Sequence, residues 1–333
     1  MLNQHYFIAI DSGKSYTKYA FRNEENMIEK GRFPTKVAEV NSSFSDLTGK
    51  NEMILYNGKH YLVGEMLSDE NSNYDLTKQT IDHLLCIYLA IVKVLDKSDS
   101  IPALANIHLA VNTPLLLYKN EKLKKEFENF IKQDGNVIGI EINNKPFSFK
   151  ISTVSILPEC IGPLYYNTSS FRDKRLLIMD FGSLNVSFLE MNNLIPQYDR
   201  MVTATAGVNI LRAKLTEMLT SKHGIALFDD DVEQILKTKT VNLFGEKQEE
   251  STKLVKTLIQ EHIRQIMNYA KSRKISINSI DNIILVGGGS ILLKSELLEQ
   301  LPSALVYPDA HFSNVLSFLR ILEAKQHERR TKT

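Results

Sequence analysis

Two segments far apart in the chain end in the same way. Phe7-Ile8-Ala9-Ile10-Asp11-Ser12-Gly13 and Leu177-Ile178-Met179-Asp180-Phe181-Gly182 are short apolar runs that release an aspartate, with a glycine two residues later. An apolar run of this length bounded by turn chemistry reads as a buried strand. A third such strand, Ile283 to Val286, runs into Gly287-Gly288-Gly289. Two halves of one α/β architecture explain the echo. The 333 residues suffice for two domains with cores of their own.

The stretches between these turns alternate helix and strand patterns. Glu52 to Tyr56 and His60 to Val63 flank Asn57-Gly58, a strong hairpin signal. Leu84 to Leu95 is apolar almost all round and predicts a buried helix. Ile107 to Val111 reads as a strand stopped by Asn112-Thr113-Pro114, and Glu121 to Ile131 as a helix with Leu123, Phe127 and Phe130 or Ile131 inward. Phe147 to Ile156 alternates like a strand and leads into Leu157-Pro158-Glu159. Asn209 to Leu219 and Lys253 to Lys274 are helical; Leu254, Leu258, Ile259, Ile263, Ile266, Met267 and Ala270 line one stripe of the latter. The triple glycine opens a helix expected over Ser290 to Leu298, and the tail from Lys325 to Thr333 is polar and expected to fray.

Composition excludes several classes. With 40 basic and 39 acidic residues the net charge is +1, so neither general nucleic-acid affinity nor membrane-surface binding is expected. No apolar run approaches the roughly 20 residues of a membrane helix, and Met1 to Tyr6 does not read as a secretory leader; the expected location is cytoplasmic. Cys86 and Cys160 sit in apolar stretches and read as buried thiols, and the eight histidines show no metal-ligand spacing. Asp229-Asp230-Asp231 reads as a helix start, Arg329-Arg330 as part of a solvated terminus, and Lys122, Lys124 and Lys125 as a solvated helix face.

The turns carry the chemistry. An aspartate beside a glycine turn places a carboxylate where backbone N–H groups can approach an anion. Two such turns facing each other would hold a triphosphate, with Lys18 reaching its oxygens from the return strand. Asp11 and Asp180 would hold Mg²⁺ through its waters, since that ion takes few carboxylates and keeps several waters. Glycines at 287, 288 and 289 would leave the backbone bare for a base or phosphate. Glu159, just after Pro158, is the candidate for orienting the attacking water; as a plain structural residue it would be an acid at a helix N-terminus.

The ordered set Asp11-x-Gly13…Lys18, Pro158-Glu159, Asp180-x-Gly182 and Gly287-Gly288-Gly289 resembles the actin, Hsp70 and sugar-kinase superfamily. Within it the chain is most similar to the ParM (StbA) group of plasmid-partitioning actins, both in Tyr56 to Glu65 and in Val306 to Leu322 with its Asn314. The resemblance implies an actin-like, ribonuclease H-like duplicated α/β fold with a nucleotide cleft between two domains, residues 1–166 plus 306–333 and residues 167–305. It implies ATP, with GTP as the alternative, and Mg²⁺ as cofactors. The implied contacts are Asp11, Ser12, Gly13, Lys14 and Lys18 on one side and Asp180, Gly182 and Ser183 on the other. Gly207 and Asn209 would lie near the ribose, Gly288 with Gly289 would back the adenosine, and Gly287 and Ser290 would belong to the same nucleotide-binding set. Asp11, Asp180 and Glu159 would be catalytic. The implied activity is an ATPase that polymerises with nucleotide and segregates plasmid or other low-copy DNA, through self-association and a DNA-bound adaptor.

Two departures stand out. Ser183 occupies a position where relatives carry a second glycine, which would cost roughly 1 kcal/mol or more if that position needs positive φ. Ser187 stands where an acid is common in relatives. The alternatives are a small-molecule kinase of the same superfamily, which needs a second base beside an acceptor hydroxyl, and a nucleotide-binding filament scaffold with little hydrolysis. An Hsp70-like chaperone is disfavoured, since no peptide-binding module is expected after the second domain.

Overall fold

Residues 4–41, 50–73, 75–98, 102–275, 277 and 279–330 are described by a computed structural model of the chain. They divide into two compact units, Met1–Tyr166 with Asn314–Thr333, and Asn167–Ser313.

In the first unit the chain forms β1 (His5–Ser12), β2 (Tyr16–Arg22), β3 (Ile28–Pro34), β4 (Val37–Val40), β5 (Asn51–Tyr56) and β6 (Lys59–Gly64). Helix α1 (Ile81–Leu95), β7 (Ala105–Thr113), α2 (Leu115–Tyr118), α3 (Glu121–Lys132), β8 (Val137–Ile142) and β9 (Lys145–Pro158) complete it. The nine strands run β3-β2-β1-β7-β9-β8-β5-β6-β4 across one sheet. β1 is antiparallel to β2 and parallel to β7, which is parallel to β9. The β5–β6 turn has Asn57 at φ 50° and Gly58 at φ 75°, the pair of left-handed residues that such a hairpin requires. Helix α1 is capped by Thr80 and buries twelve of its fifteen residues, so its all-round apolar sequence serves a helix packed on every side. β7 continues past its expected stop through Asn112 and Thr113, because Pro114 ends it rather than Asn112.

In the second unit α4 (Thr168–Phe171) precedes β10 (Arg175–Phe181), β11 (Val186–Asn192) and β12 (Ile195–Ala204). Then come α5 (Val208–His223), α6 (Asp229–Thr238), the small hairpin β13 (Asn242–Leu243) and β14 (Glu246–Lys247), and α7 (Glu249–Ser272). β15 (Asn282–Val286), α8 (Gly288–Leu292), α9 (Lys294–Gln300) and β16 (Leu305–Val306) follow. The sheet order is β12-β11-β10-β15-β16, with β10 parallel to β15 and β15 parallel to β16. This repeats β3-β2-β1-β7-β9 of the first unit: an antiparallel meander followed by two parallel strands, each reached through helix. The turn echo in the sequence is therefore a duplicated topology. Each unit has its own core, the first around α1 and β7, the second around α7 and β10.

Several local expectations need correction. The stripe of α7 buries Val255 and His262, whereas Leu254 is exposed. The helix expected after the glycines is two helices that meet at Leu293. The aspartate triplet does begin α6, but the cap runs from Asp231, whose carboxylate accepts the Phe228 N–H at 2.9 Å.

The chain closes in α10 (Ser313–Arg330), where a frayed tail was expected; the side chains of residues 329–330 and all of residues 331–333 lie outside the described residues. From Asn314 onward it belongs to the first unit: the Gly162 N–H donates to Asn314 Oδ1 at 2.8 Å, and Ser317 Oγ donates to the Gly162 carbonyl at 2.7 Å. Cys86 and Cys160 are buried, and burial pushes the Cys86 thiol up to about 12, an unreactive state. Among the described residues no helix is long and apolar enough to cross a membrane.

Candidate functional site

In the first unit the register of β1 and β2 sets Asp11 opposite Lys18. Lys18 Nζ lies 3.2 Å from Asp11 Oδ2, and the other oxygen accepts Asn112 Nδ2 at 2.6 Å, so both carboxylate oxygens are engaged. Asn112 comes from the end of β7, the parallel neighbour of β1. Its Oδ1 accepts the Ser12 N–H at 2.9 Å, and its Nδ2 lies 3.5 Å from Glu159 Oε1. One amide thus ties together the Asp11 turn and Glu159, whose own N–H donates to the Thr113 carbonyl at 3.0 Å.

The Gly13 N–H donates to the carbonyls of Asp11 and Tyr16, both at 3.1 Å. A Cβ on Gly13 would stand 2.7 Å from the Tyr16 oxygen, so the glycine answers a close backbone approach and not a positive φ. The Ser12 and Gly13 amides are occupied internally, so these two N–H groups of the turn are not free for an anion.

The side chains around the turn include residues that the sequence reading missed. Ser12 Oγ is 2.8 Å from His83 Nδ1, and Lys14 Nζ is 3.1 Å from His83 Nε2 and 3.3 Å from the Thr77 carbonyl. Burial first, then the charges of Lys14 and Lys78, hold the imidazole well below its ordinary pKa, so it is neutral. An ammonium can only donate, so Nε2 accepts from Lys14 and Nδ1 carries the proton toward Ser12. The hydroxyl of Ser12, which is itself buried, keeps its own proton to donate. Burial, reinforced by the Lys78 charge, lowers Lys14 to about 8, against the opposing pull of Glu159, Asp75 and Asp82. Lys78 Nζ lies 2.6 Å from Glu159 Oε1.

In the second unit the same frame carries different chemistry. Asp180 pairs across β10 and β11 with Ser187, so a serine occupies the position that Lys18 holds in the first unit. Ser187 is buried, 3.5 Å from Thr203 Oγ1. The Gly182 N–H donates to the Asn185 carbonyl at 2.9 Å, matching the Gly13–Tyr16 bond. Ser183 is not at positive φ, so the strain expected there is absent. The N–H groups of Gly207, Val208 and Asn209, at the start of α5, donate to the Leu184, Gly182 and Ser183 carbonyls at 2.9, 3.1 and 2.9 Å. Arg212, one turn on, donates to Asn209 Oδ1 at 2.9 Å, while its Nε is buried without a partner among the described residues.

The three glycines divide their roles. Gly287 has φ 84°, and a Cβ there would clash with Asp180 Oδ1 and lie 2.6 Å from the Phe181 carbonyl oxygen. A Cβ on Gly289 would lie 2.7 Å from Val208 Cγ2 and 2.9 Å from Phe181. Both are glycine because β10 and α5 pack against them. Gly288 is the least crowded of the three, since a Cβ there would meet only the His311 ring, in a tight contact at 3.3 Å. Ser290 is fully buried and its Oγ donates to the Gly287 carbonyl at 2.8 Å. At 287 and 289 the missing side chains make room for the protein's own atoms.

No cluster of three or more potential metal ligands occurs among the described residues. The strand-end carboxylates are Asp11 and Glu159 in the first unit and Asp180 in the second. Such a donor set suits Mg²⁺, which keeps several waters and takes few protein ligands. Since both Asp11 oxygens already have partners, its contact with a metal fits one made through water.

Residues 9–162 match the family described as actin like proteins N terminal domain, and residues 178–299 match archaeal actin homologue MreB-like, C-terminal. No curated protein matches the chain. Among solved structures Ta0583, an archaeal actin homolog, has a TM-score of 0.78 at 17% identity, covering 96% of this chain and 99% of that one. Its complex with ADP gives 0.73 at 17% identity, with the same coverage of 96% and 99%. The Alp12 filament structure gives 0.71 at 24% identity, covering 97% of this chain and 100% of that one. A 15-stranded ParM filament from Clostridium botulinum gives 0.73 at 19% identity, covering 97% and 100%. At these identities the likeness shows the fold: two actin-like domains built on mixed sheets.

Proposed function

This chain is an actin-like protein, and from that premise we propose that it is an ATPase whose nucleotide state controls its own polymerisation, used to segregate plasmid or other low-copy DNA. The observation that carries the reading is the constellation Asp11, Lys18, Asn112 and Glu159, gathered from β1, β2, β7 and the end of β9. It pairs ammonium groups for phosphate charge with a carboxylate able to hold and deprotonate a water, which is what phosphoryl transfer to water requires. Lys14, Lys18 and the Ser12 hydroxyl bind phosphate oxygens. The Asp180 turn, Gly207, Asn209 and Gly288 are the second unit's candidate nucleotide contacts. Mg²⁺, when bound, would neutralise phosphate charge, and Asp11 and Asp180 are the carboxylates that would hold it through water.

Three solved relatives support the reading by what they are: an ADP complex of Ta0583, an Alp12 filament and a ParM filament. A DNA-bound adaptor is the partner expected for such a filament. The test is electron microscopy and sedimentation of the purified protein with and without ATP and Mg²⁺, together with phosphate release. Nucleotide is expected to produce sedimentable polymer. Glu159→Ala should lower phosphate release by about 100-fold or more and yield filaments that persist. Unchanged disassembly in that variant removes Glu159 from the mechanism, and the absence of any nucleotide-dependent polymer removes the reading. A slow-hydrolysing filament is a second reading, favoured by Ser187 opposite Asp180 and by the ion pair on Glu159; stable polymer with negligible phosphate release would identify it.

A further inference from the structure

Lys78 precedes α1 and is 2% exposed. Its only ionic contact among the described residues is Glu159 Oε1 at 2.6 Å, and Nζ makes no directed hydrogen bond there. An ammonium carries three N–H donors, and a buried one is costly unless its charge and donors are matched. The two neighbouring lysines are better satisfied. Lys18 is on Asp11, and Lys14 is on His83 and the Thr77 carbonyl. Three ammonium groups therefore surround two carboxylates, Asp11 and Glu159, with Asp75 and Asp82 acting on Lys14 from further out. His83 is neutral and adds no negative charge. Of the three cations, Lys78 is the one whose Nζ is buried with no directed hydrogen bond among the described residues, which leaves its donors for an anion.

We propose that Lys78 discriminates the terminal phosphate: its ammonium binds that group of a nucleoside triphosphate and releases Glu159, so a diphosphate leaves the carboxylate clamped. This rests on the nucleotide reading above. It makes Lys78 a specificity residue for triphosphate over diphosphate, and a positioning residue for Glu159. Glu159 thus has two conditions, held by Lys78 or available for water, and the ligand's phosphate number selects between them.

The test compares affinities for ADP and for a β,γ-imido ATP analogue, by displacement of a fluorescent nucleotide below the polymerisation threshold. In the full-length protein Lys78→Met should lower affinity for the triphosphate analogue about tenfold or more, the scale of a hydrogen bond to a charged group. ADP should lose much less, and Lys78→Arg should restore most of the preference. Equal losses for both nucleotides, or an unchanged ratio, overturn the proposal. Glu159→Gln is the independent variant if Lys78→Met does not fold. Freed from its carboxylate, Lys78 should bind the triphosphate analogue several-fold more tightly, and unchanged or weaker binding overturns the proposal. A wild-type protein that binds neither nucleotide sinks the nucleotide reading itself; binding with an unaltered ratio in the variants sinks only the role of Lys78.

Discussion

Replacing Gly287 by alanine should destabilise the second unit with no ligand present. At φ 84° and ψ 164° an L-residue is forced into a backbone region that essentially only glycine occupies, at roughly 1–2 kcal/mol or more. Its Cβ would also stand 2.6 Å from the Phe181 carbonyl oxygen. That oxygen belongs to strand backbone and cannot turn aside as a side chain would, so an overpacking cost of roughly 1–3 kcal/mol adds to the first. The total is about 2–5 kcal/mol. Gly288→Ala is the internal control. Its backbone is not left-handed, its nearest neighbour is a ring edge at 3.3 Å, and alanine in a helix gains up to about 1 kcal/mol over glycine. Urea unfolding followed by circular dichroism, without nucleotide, separates the two. With a slope of about 2–3 kcal/mol per molar, Gly287→Ala should lower the midpoint by about 1 M or more, while Gly288→Ala should leave it nearly unchanged. If the glycines served only to let a ligand approach, both alanines would be silent in the free protein. Equal midpoints for the two variants would refute the packing argument.

Acid should destabilise the protein through buried histidines. His262 is 2% exposed, and burial, followed by the Lys214 charge, lowers it to about 4. Between its ordinary value near 6.5 and about 4, the unfolded chain takes up a proton that the folded chain refuses. Stability is therefore lost as pH falls, by up to about 1.4 kcal/mol per pH unit. His83 acts in the same direction. Urea midpoints at several pH values should fall less steeply for His262→Gln, and an unchanged slope would refute the assignment. Phe244, at the turn of the β13–β14 hairpin, is 95% exposed at φ 55°. Asparagine tolerates that backbone better, so Phe244→Asn should stabilise by about 0.5–1 kcal/mol and raise the melting temperature by a few degrees; a lower one would show that the ring is needed for stability.

What could be read in advance followed local pattern. The Asp11 and Asp180 turns announce themselves through a strand's apolar run and a glycine at fixed offset, and the hairpin at Asn57-Gly58 through turn chemistry. Lys78, His83 and Asn112 had no such signal. They lie in a loop, inside a helix whose burial was legible only as hydrophobicity, and at a strand end read as a stop. The β1–β7 pairing brings Asn112 to Asp11, and a buried helix brings His83 to Ser12; neither proximity leaves a mark on nearby residues. The packing role of the glycines at 287 and 289 was hidden for a related reason. A missing side chain looks alike whether ligand or β10 fills the space, and only the neighbours decide. The concern over Ser183 failed because the turn there closes without a left-handed residue.

The return of α10 to the first unit has a consequence for synthesis. The first unit's final pieces, the Asn314 and Ser317 bonds to Gly162 and the 2.5 Å ion pair from Arg22 to Glu323, are translated only after the whole second unit. At about 5–20 residues per second, the nascent sheet waits on the order of ten seconds for the helix that finishes it. A ribosome-bound chain halted before Asn314 therefore carries an incomplete first unit, however well its partner has folded.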